Sequence, residues 1–330
     1  MSIIETCGLT KTFRRFEKEP GLKGSVKSLF NRKFVDKTAV DHFDMTVKPG
    51  EFVGLIGPNG AGKTTLVKML TGIIAPTSGN ISVLGHYPNK LETAFKKQYA
   101  VVMGQKSQLF FELTPNDTFR LFKELYDIPE TEYKRNVAYF VDLFNVSPFL
   151  NVQVRTLSLG ERMKMELIVA LLHNPGILFL DEPTIGLDAA SQRQMRLFLK
   201  EVNREKGTTI LLTSHYMEDV RSLCARSIVI GTGRKIYDGE TETLFNTYQT
   251  RKKITLTFDT ETDFAIHRQG LVDCDLIERS PFKVVLMVPK DGHAQLIARL
   301  TQDYSPIDIS VEEEDIGTVV ERIYAGGPLA

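Results

Sequence analysis

Runs of apolar residues separated by charged stretches divide this 330-residue chain into a series of short elements. "SIIETCGLTKTF" at 2–13 reads as a strand, and strand character returns at "TAVDHFDMTV" (38–47) and "EFVGLIG" (51–57). The last runs directly into a glycine-rich loop and then into a helical pattern, "KTTLVKMLTGII". Between about 107 and 150 the apolar residues recur three and four apart, in "DTFRLFKELYDI" and "EYKRNVAYFVDLFNV", as helices facing a core require. A helical subdomain over about 107–165 follows from this. From "GILFLDEP" to "SIVIGTGRKIYDG" buried strands alternate with helices, the pattern of a parallel α/β core. After residue 243 the texture changes again. Strand "KKITLTF", a helix, strands "VDCDLIE" and "KVVLMVP", helix "GHAQLIARL", strand "IDISVEE" and a last helix "IGTVVERIY" predict a separate small α+β domain over 244–330.

Residues 14–37 break this order with eight basic and three acidic side chains and read as an insertion. Within it Leu22, Val26, Leu29 and Phe30 form one apolar stripe at helical spacing, with Lys23, Lys27, Arg32 and Lys33 around it. A basic amphipathic helix suited to a membrane surface or a membrane protein is the expectation.

Composition narrows the function classes. Lys plus Arg equals Asp plus Glu, 41 each, so no global field draws the chain to nucleic acid or to an anionic bilayer. The three cysteines, Cys7, Cys224 and Cys274, are widely spaced and odd in number, which fits a reducing compartment and neither a disulfide framework nor a metal site. No apolar run approaches the roughly 20 residues of a bilayer span, and no leader-like segment opens the chain.

The chemistry is concentrated in two stretches. "GPNGAGKT" matches G-x-x-x-x-G-K-[ST] between a strand and a helix, the context that the phosphate-binding motif needs. Gly57, Pro58, Asn59, Gly60, Ala61 and Gly62 supply a loop whose N–H groups, with the helix N-terminus behind them, meet phosphates. Lys63 is expected to reach the β and γ phosphates, Thr64 to ligate Mg²⁺, and Thr65 to bond the α phosphate. "ILFLDEP" is a buried strand ending in two carboxylates. Asp181 is expected to hold Mg²⁺ through water and Glu182 to polarise the attacking water, since phosphoryl transfer depends on positioning and charge stabilisation.

With these motifs the chain resembles the ATPase subunit of an ATP-binding cassette (ABC) transporter, and further elements stand in that family's order across residues 1–240. "VVMGQKSQLF" carries the Q-loop glutamine, Gln105, which the resemblance makes both a catalytic residue and a Mg²⁺ ligand. "LSLGE" is the signature, with Leu159 and Glu161 where the family has Gly and Gln. "GLD" gives the D-loop Asp188, and "TSH" the switch histidine, His215. The resemblance implies a head-to-tail dimer in which each signature, through Ser158, Gly160 and Glu161, holds the nucleotide on the other subunit's phosphate loop. It also implies an aromatic stacked on adenine, either Phe13 at the end of the first strand or Phe34 before the second.

The "ISVEE" strand and final helix resemble ATPases that pair with ABC-2 type permeases, and "PGLKGSVKSLFNRKF" resembles the viologen or multidrug exporter subgroup. What this implies is a Mg²⁺-dependent ATPase, working as a dimer at the cytoplasmic face of the cell membrane. There it would power export of a drug, lipid or polysaccharide-like substrate. The alternative is a soluble ABC ATPase acting on ribosomes or DNA. It is disfavoured by a single cassette, by the lack of a long coiled coil and by neutral net charge. A regulatory module without hydrolysis is disfavoured by Glu182 and His215.

Overall fold

The computed structural model describes residues 2–17, 33–104, 106–214, 216–248, 250–262, 264 and 274–314. In chain order these form β1 (Ile4–Glu17), β2 (Lys33–Val47), β3 (Phe52–Ile56), α1 (Lys63–Leu70), β4 (Ser78–Val83), the short α2 (Thr93–Lys96) and β5 (Tyr99–Met103). Next come α3 (Pro115–Leu125), α4 (Glu130–Phe144), α5 (Leu159–Leu171), β6 (Ile177–Asp181), α6 (Ala189–Lys206), β7 (Thr209–Thr213), α7 (Met217–Leu223), β8 (Arg226–Gly231) and β9 (Arg234–Glu240). The chain ends its described part with α8 (Thr241–Tyr248), β10 (Arg251–Thr257), β11 (Asp275–Ser280), β12 (Lys283–Pro289), α9 (His293–Tyr304) and β13 (Asp308–Glu313). It divides into two compact units, Met1–Thr241 and Glu242–Ala330.

In the first unit a sheet of order β5-β6-β7-β3-β8-β9 is parallel except at β9. Its central strands β3 and β7 are buried at every position, which is why they read as unbroken apolar runs rather than alternating ones. An antiparallel sheet, β2-β1-β4, supplies a second layer. The core between them gathers Ile4, Val40, Phe43 and Val83 with Leu66, Val67 and Leu70 of α1 and Val53 and Leu55 of β3. Beneath the phosphate loop, α1 is thus held on both sides. Helices α3, α4 and α5 form the helical part. Thr114 starts α3 with a capping box shared with Asp117, and α5 continues to Leu171, beyond the expected limit of 165.

The stretch read as an insertion from 14 to 37 begins and ends in regular strand. β1 and β2 stay in register from Thr12↔Thr38 to Glu17↔Lys33, so residues 14–17 and 33–37 belong to one long hairpin. The amphipathic helix expected over Leu22 to Phe30 lies outside the described residues, as do Gln105, His215 and the expected last helix at 316–324.

The second unit is a four-stranded antiparallel sheet, β11-β12-β10-β13, with α9. Its own core gathers Ile254, Leu256, Val284, Leu286 and Val288 with Leu300, Phe258 and Phe264. In β11 a register shift between Leu276 and Glu278 interrupts the alternation.

Candidate nucleotide site

β3 ends at Ile56 and the chain wraps through residues 57–62 before α1 begins at Lys63. Gly62 has φ +114°, and a Cβ there would lie 2.3 Å from the Ala39 carbonyl oxygen, so only glycine lets the loop pass this close to β2. Lys63 is buried, and its Nζ donates to the carbonyl oxygens of Gly57 (2.6 Å) and Pro58 (3.1 Å). Burial holds its ammonium below the ordinary lysine range, opposed by the charges of Glu182 and Asp181. The lysine is thereby tied to the carbonyl oxygens at the start of the loop.

Asp181 ends β6, separated from β3 by β7 in the sheet. Its carboxylate accepts the Thr64 hydroxyl at 3.1 Å through one oxygen and the Thr213 hydroxyl at 2.6 Å through the other. Three elements, α1, β6 and β7, therefore converge on one carboxylate. Glu182 follows with φ +55°, an uncommon backbone for a residue with a Cβ, and is fixed by its N–H to the carbonyl oxygen (3.0 Å) and hydroxyl (3.2 Å) of Thr213. Strain of this kind is characteristic of functional sites and costs of order 1–3 kcal/mol.

Two cavities meet at Thr64, Asn59 and Glu182. One, of about 240 Å³, is lined by Asn59, Gly60, Gly62, Lys63, Thr64, Thr65 and Glu182, and on the hairpin side by Phe13, Arg15, Lys37 and Ala39. The other, of about 280 Å³, is lined by Asn59, Thr64, Lys68, Asp181 and Glu182 together with Met103, Gly104 and Lys106. Of the two aromatics left open by the sequence, Phe13 borders the loop, whereas Phe34 lies outside this lining with the Arg14 guanidinium 4.3 Å from its ring centroid. The neighbours of Gln105, Gly104 and Lys106, flank the second cavity.

Ser158, Gly160, Glu161 and Asp188 line neither cavity of their own chain. Ser158 caps α5, accepting from the Glu161 N–H at 3.3 Å while the Glu161 carboxylate accepts the Ser158 N–H at 2.8 Å. A glutamate in place of glutamine at 161 thus completes a capping box. A Cβ on Gly160 would lie 2.6 Å from Ser191 Oγ, so the first turns of α5 and α6 touch. Asp188 caps α6 through Ser191 N–H (2.8 Å), and this bond holds its carboxyl below the usual range.

Sequence reasoning missed Arg15 and Lys37 at the cavity, Thr213 beside Asp181, and two buried carboxylates, Glu166 and Asp219. The two cations were hidden by reading strand residues as insertion. Glu166, in the middle of α5, breaks the apolar face of a buried helix, which was a usable signal.

A strand, a phosphate loop and a helix, with a carboxylate strand end bonded to the loop's threonine, define a P-loop nucleoside triphosphatase. The family model described as ABC transporter matches residues 40–185. The ABC transporter ATP-binding protein NatA of Bacillus subtilis is 36% identical over 219 residues, covering 65% of this chain and 89% of that protein. The Nod factor export ATP-binding protein I of Burkholderia thailandensis is 37% identical over 213 residues, 64% of this chain and 69% of that protein. Among solved structures, a dimeric ATP-binding cassette in a post-hydrolysis state bound to ADP and Pi superposes with TM-score 0.59 at 22% identity, over 72% of this chain and 98% of that one. The chain belongs to the ABC transporter ATP-binding family. It is an ATP-binding and ATP-hydrolysing subunit.

Proposed function

We propose that this subunit hydrolyses Mg²⁺-bound ATP in a head-to-tail dimer and drives an ABC-2 type permease from the cytoplasmic face of the cell membrane, exporting a drug, lipid or polysaccharide-like substrate. The observation that carries the reading is the convergence of Thr64, Asp181 and Glu182 beside Lys63. The Thr64 hydroxyl and Asp181 carboxylate are adjacent hard oxygen donors of the kind Mg²⁺ takes, with Gln105 as a third ligand. The ion supplies charge neutralisation to the phosphates when bound. The loop from Gly57 through Thr65 holds the phosphates, Phe13 stacks on adenine, and Glu182 positions the attacking water, with His215 and Gln105 completing the site.

The signature side fits the same scheme. Ser158, Gly160, Glu161 and Asp188 line neither cavity at their own loop, consistent with serving the partner's nucleotide, and the α5 N-terminus adds positive partial charge. Export is supported by the relatives' names, Nod factor export among them. Among the described residues no helix is long and apolar enough to cross a membrane, and in this scheme the permease supplies the path through it. Phe110, Phe111 and Leu113, exposed just after the Gln105 region while Leu109 is buried, are the surface offered to a cytosolic helix of the permease. Paired cysteines there and on the permease should crosslink, and failure at every register would remove this surface from the scheme.

The deciding experiment is Glu182→Gln. ATP binding should persist, turnover should fall by ~10²-fold or more, and closed dimers should accumulate. Near-normal ATPase activity, with contaminants excluded, would reassign the water-positioning role.

A further inference from the structure

The long β1–β2 hairpin does more than frame the phosphate loop. Phe13 and Lys37 are directly opposed in the antiparallel register, so their side chains share one face, and Arg15, two residues beyond Phe13, lies on the same face. All three line the 240 Å³ cavity with Lys63, Thr64 and Thr65. Its charged lining residues are Arg15, Lys37, Lys63 and Glu182, three cations against one carboxylate. A cavity with this excess of positive charge suits a polyanion.

Neither the Arg15 nor the Lys37 side chain has a hydrogen-bond or ion-pair partner among the described residues. Other strand cations are paired: half-buried Arg226 holds Glu51 and Asp238, exposed Arg234 holds Asp41, and half-buried Lys253 holds Glu312. Strand geometry gives the two side chains an order outward from the loop. Ala39 sits against Gly62, Lys37 is two residues further out on the same strand, and Arg15 is beyond it on the facing strand. With Phe13 they line the cavity on the side of the hairpin.

We propose that Arg15 and Lys37 are nucleotide-binding residues, a pair of cations flanking Phe13 that attracts and holds the phosphate chain of the nucleoside triphosphate from the side opposite the loop. The proposal rests on the nucleotide-site reading above. It assigns the ends of the 14–37 segment to the nucleotide rather than to a membrane partner.

Equilibrium binding of Mg²⁺-ATP and of adenosine to the full chain, at low and at raised salt, tests it for the wild type and for Lys37→Ala, Lys37→Glu, Lys37→Arg, Arg15→Ala and Arg15→Glu. Each alanine should weaken Mg²⁺-ATP roughly two- to fivefold at low salt, the scale of one exposed ion pair. The glutamates should weaken it further, Lys37→Arg should restore it, and raised salt should shrink every difference. Adenosine, lacking phosphates, should bind all variants alike. Both side chains are exposed, so thermal midpoints without nucleotide should be unchanged. Charge-reversed variants that bind Mg²⁺-ATP as tightly as the wild type overturn the proposal, and a loss as large for adenosine overturns the phosphate assignment. A wild type that fails to bind Mg²⁺-ATP would instead overturn the nucleotide site itself.

Discussion

The buried carboxylate of Glu166 accepts the backbone N–H of Gln108 with both oxygens, at 2.9 and 3.0 Å. It also accepts the Leu109 N–H at 3.3 Å and the Ser107 hydroxyl. The helix that opens with "LSLGE" is therefore tied to the segment following Gln105. Glu166→Ala would leave these donors without acceptors inside the fold, so we predict a loss of about 1–3 kcal/mol in stability, read from urea unfolding. An unchanged midpoint would mean that water replaces the carboxylate.

The same residue sets a pH dependence. Burial pushes the Glu166 carboxyl above the ordinary range despite its hydrogen bonds. A group whose folded pKa is raised contributes stability below its unfolded pKa and loses it as pH climbs through the folded value. Glu166→Gln cannot ionise, so its melting temperature relative to the wild type should rise as pH increases from about 4, the unfolded carboxyl value, toward neutrality. A flat difference would show that the hydrogen bonds outweigh burial.

His173 acts with the opposite sign. Its ring stacks on Tyr126 at 3.9 Å, its Nε2 lies 3.2 Å from the Tyr99 carbonyl oxygen, and its Nδ1 is buried without a partner. Burial brings its pKa down to about 4. Between about 4 and the unfolded value near 6.5 the unfolded chain binds a proton that the folded one refuses, so stability must fall as pH drops through this window. The loss should approach 2–3 kcal/mol. His173→Gln should flatten that limb of the stability profile, and a limb of the same slope in the variant would assign it to other groups.

Local rules made the phosphate loop and the β6 carboxylates legible. "GPNGAGKT" fixes its own backbone through glycines, and "ILFLDEP" marks a strand buried on both faces. The hairpin was opaque for a physical reason. Register shifts between Thr6 and Thr12, around Gly8 at φ +58°, break the two-residue period of β1, and charges then cover its outer half, so strand residues read as insertion. Phe13 could not be separated from Phe34 because the choice depends on which strand pairs lie over the loop, a tertiary fact. Asp219 was equally hidden, since its partners are contributed by three other stretches of chain.

That network supports a further prediction. Asp219, fully buried, accepts from Arg196 at 2.9 Å, from the Ser214 hydroxyl at 3.1 Å and from Thr184. It thus joins the residue before His215 to the loop after Glu182. Asp219→Ala would strand the Arg196 guanidinium and two hydroxyls, although Glu218 at 2.9 Å remains beside the arginine. We predict a destabilisation near the lower end of a broken buried pair, about 3 kcal/mol, with Asp219→Asn intermediate. Chemical denaturation of the three proteins measures it, and equal midpoints for wild type and Asp219→Ala would show that the network adds nothing to folding.

The second unit is predicted to be dispensable for hydrolysis and to serve regulation or dimer stability. It has its own core around Ile254, Leu286 and Leu300, and its charged strand residues are spent on cross-strand pairs, Lys252 with Glu313 and Lys253 with Glu312. Both cavities at the phosphate loop are lined entirely by residues before position 183. A chain truncated after residue 243 keeps every residue assigned to the nucleotide and should remain folded, because the first unit has its own core around Ile4, Val53 and Leu66. ATPase activity should survive, while the concentration dependence of dimerisation or the response to the permease changes. A truncated protein that folds, melts cooperatively and binds ATP, yet hydrolyses none even with the permease present, would require the second unit to contribute to the catalytic site.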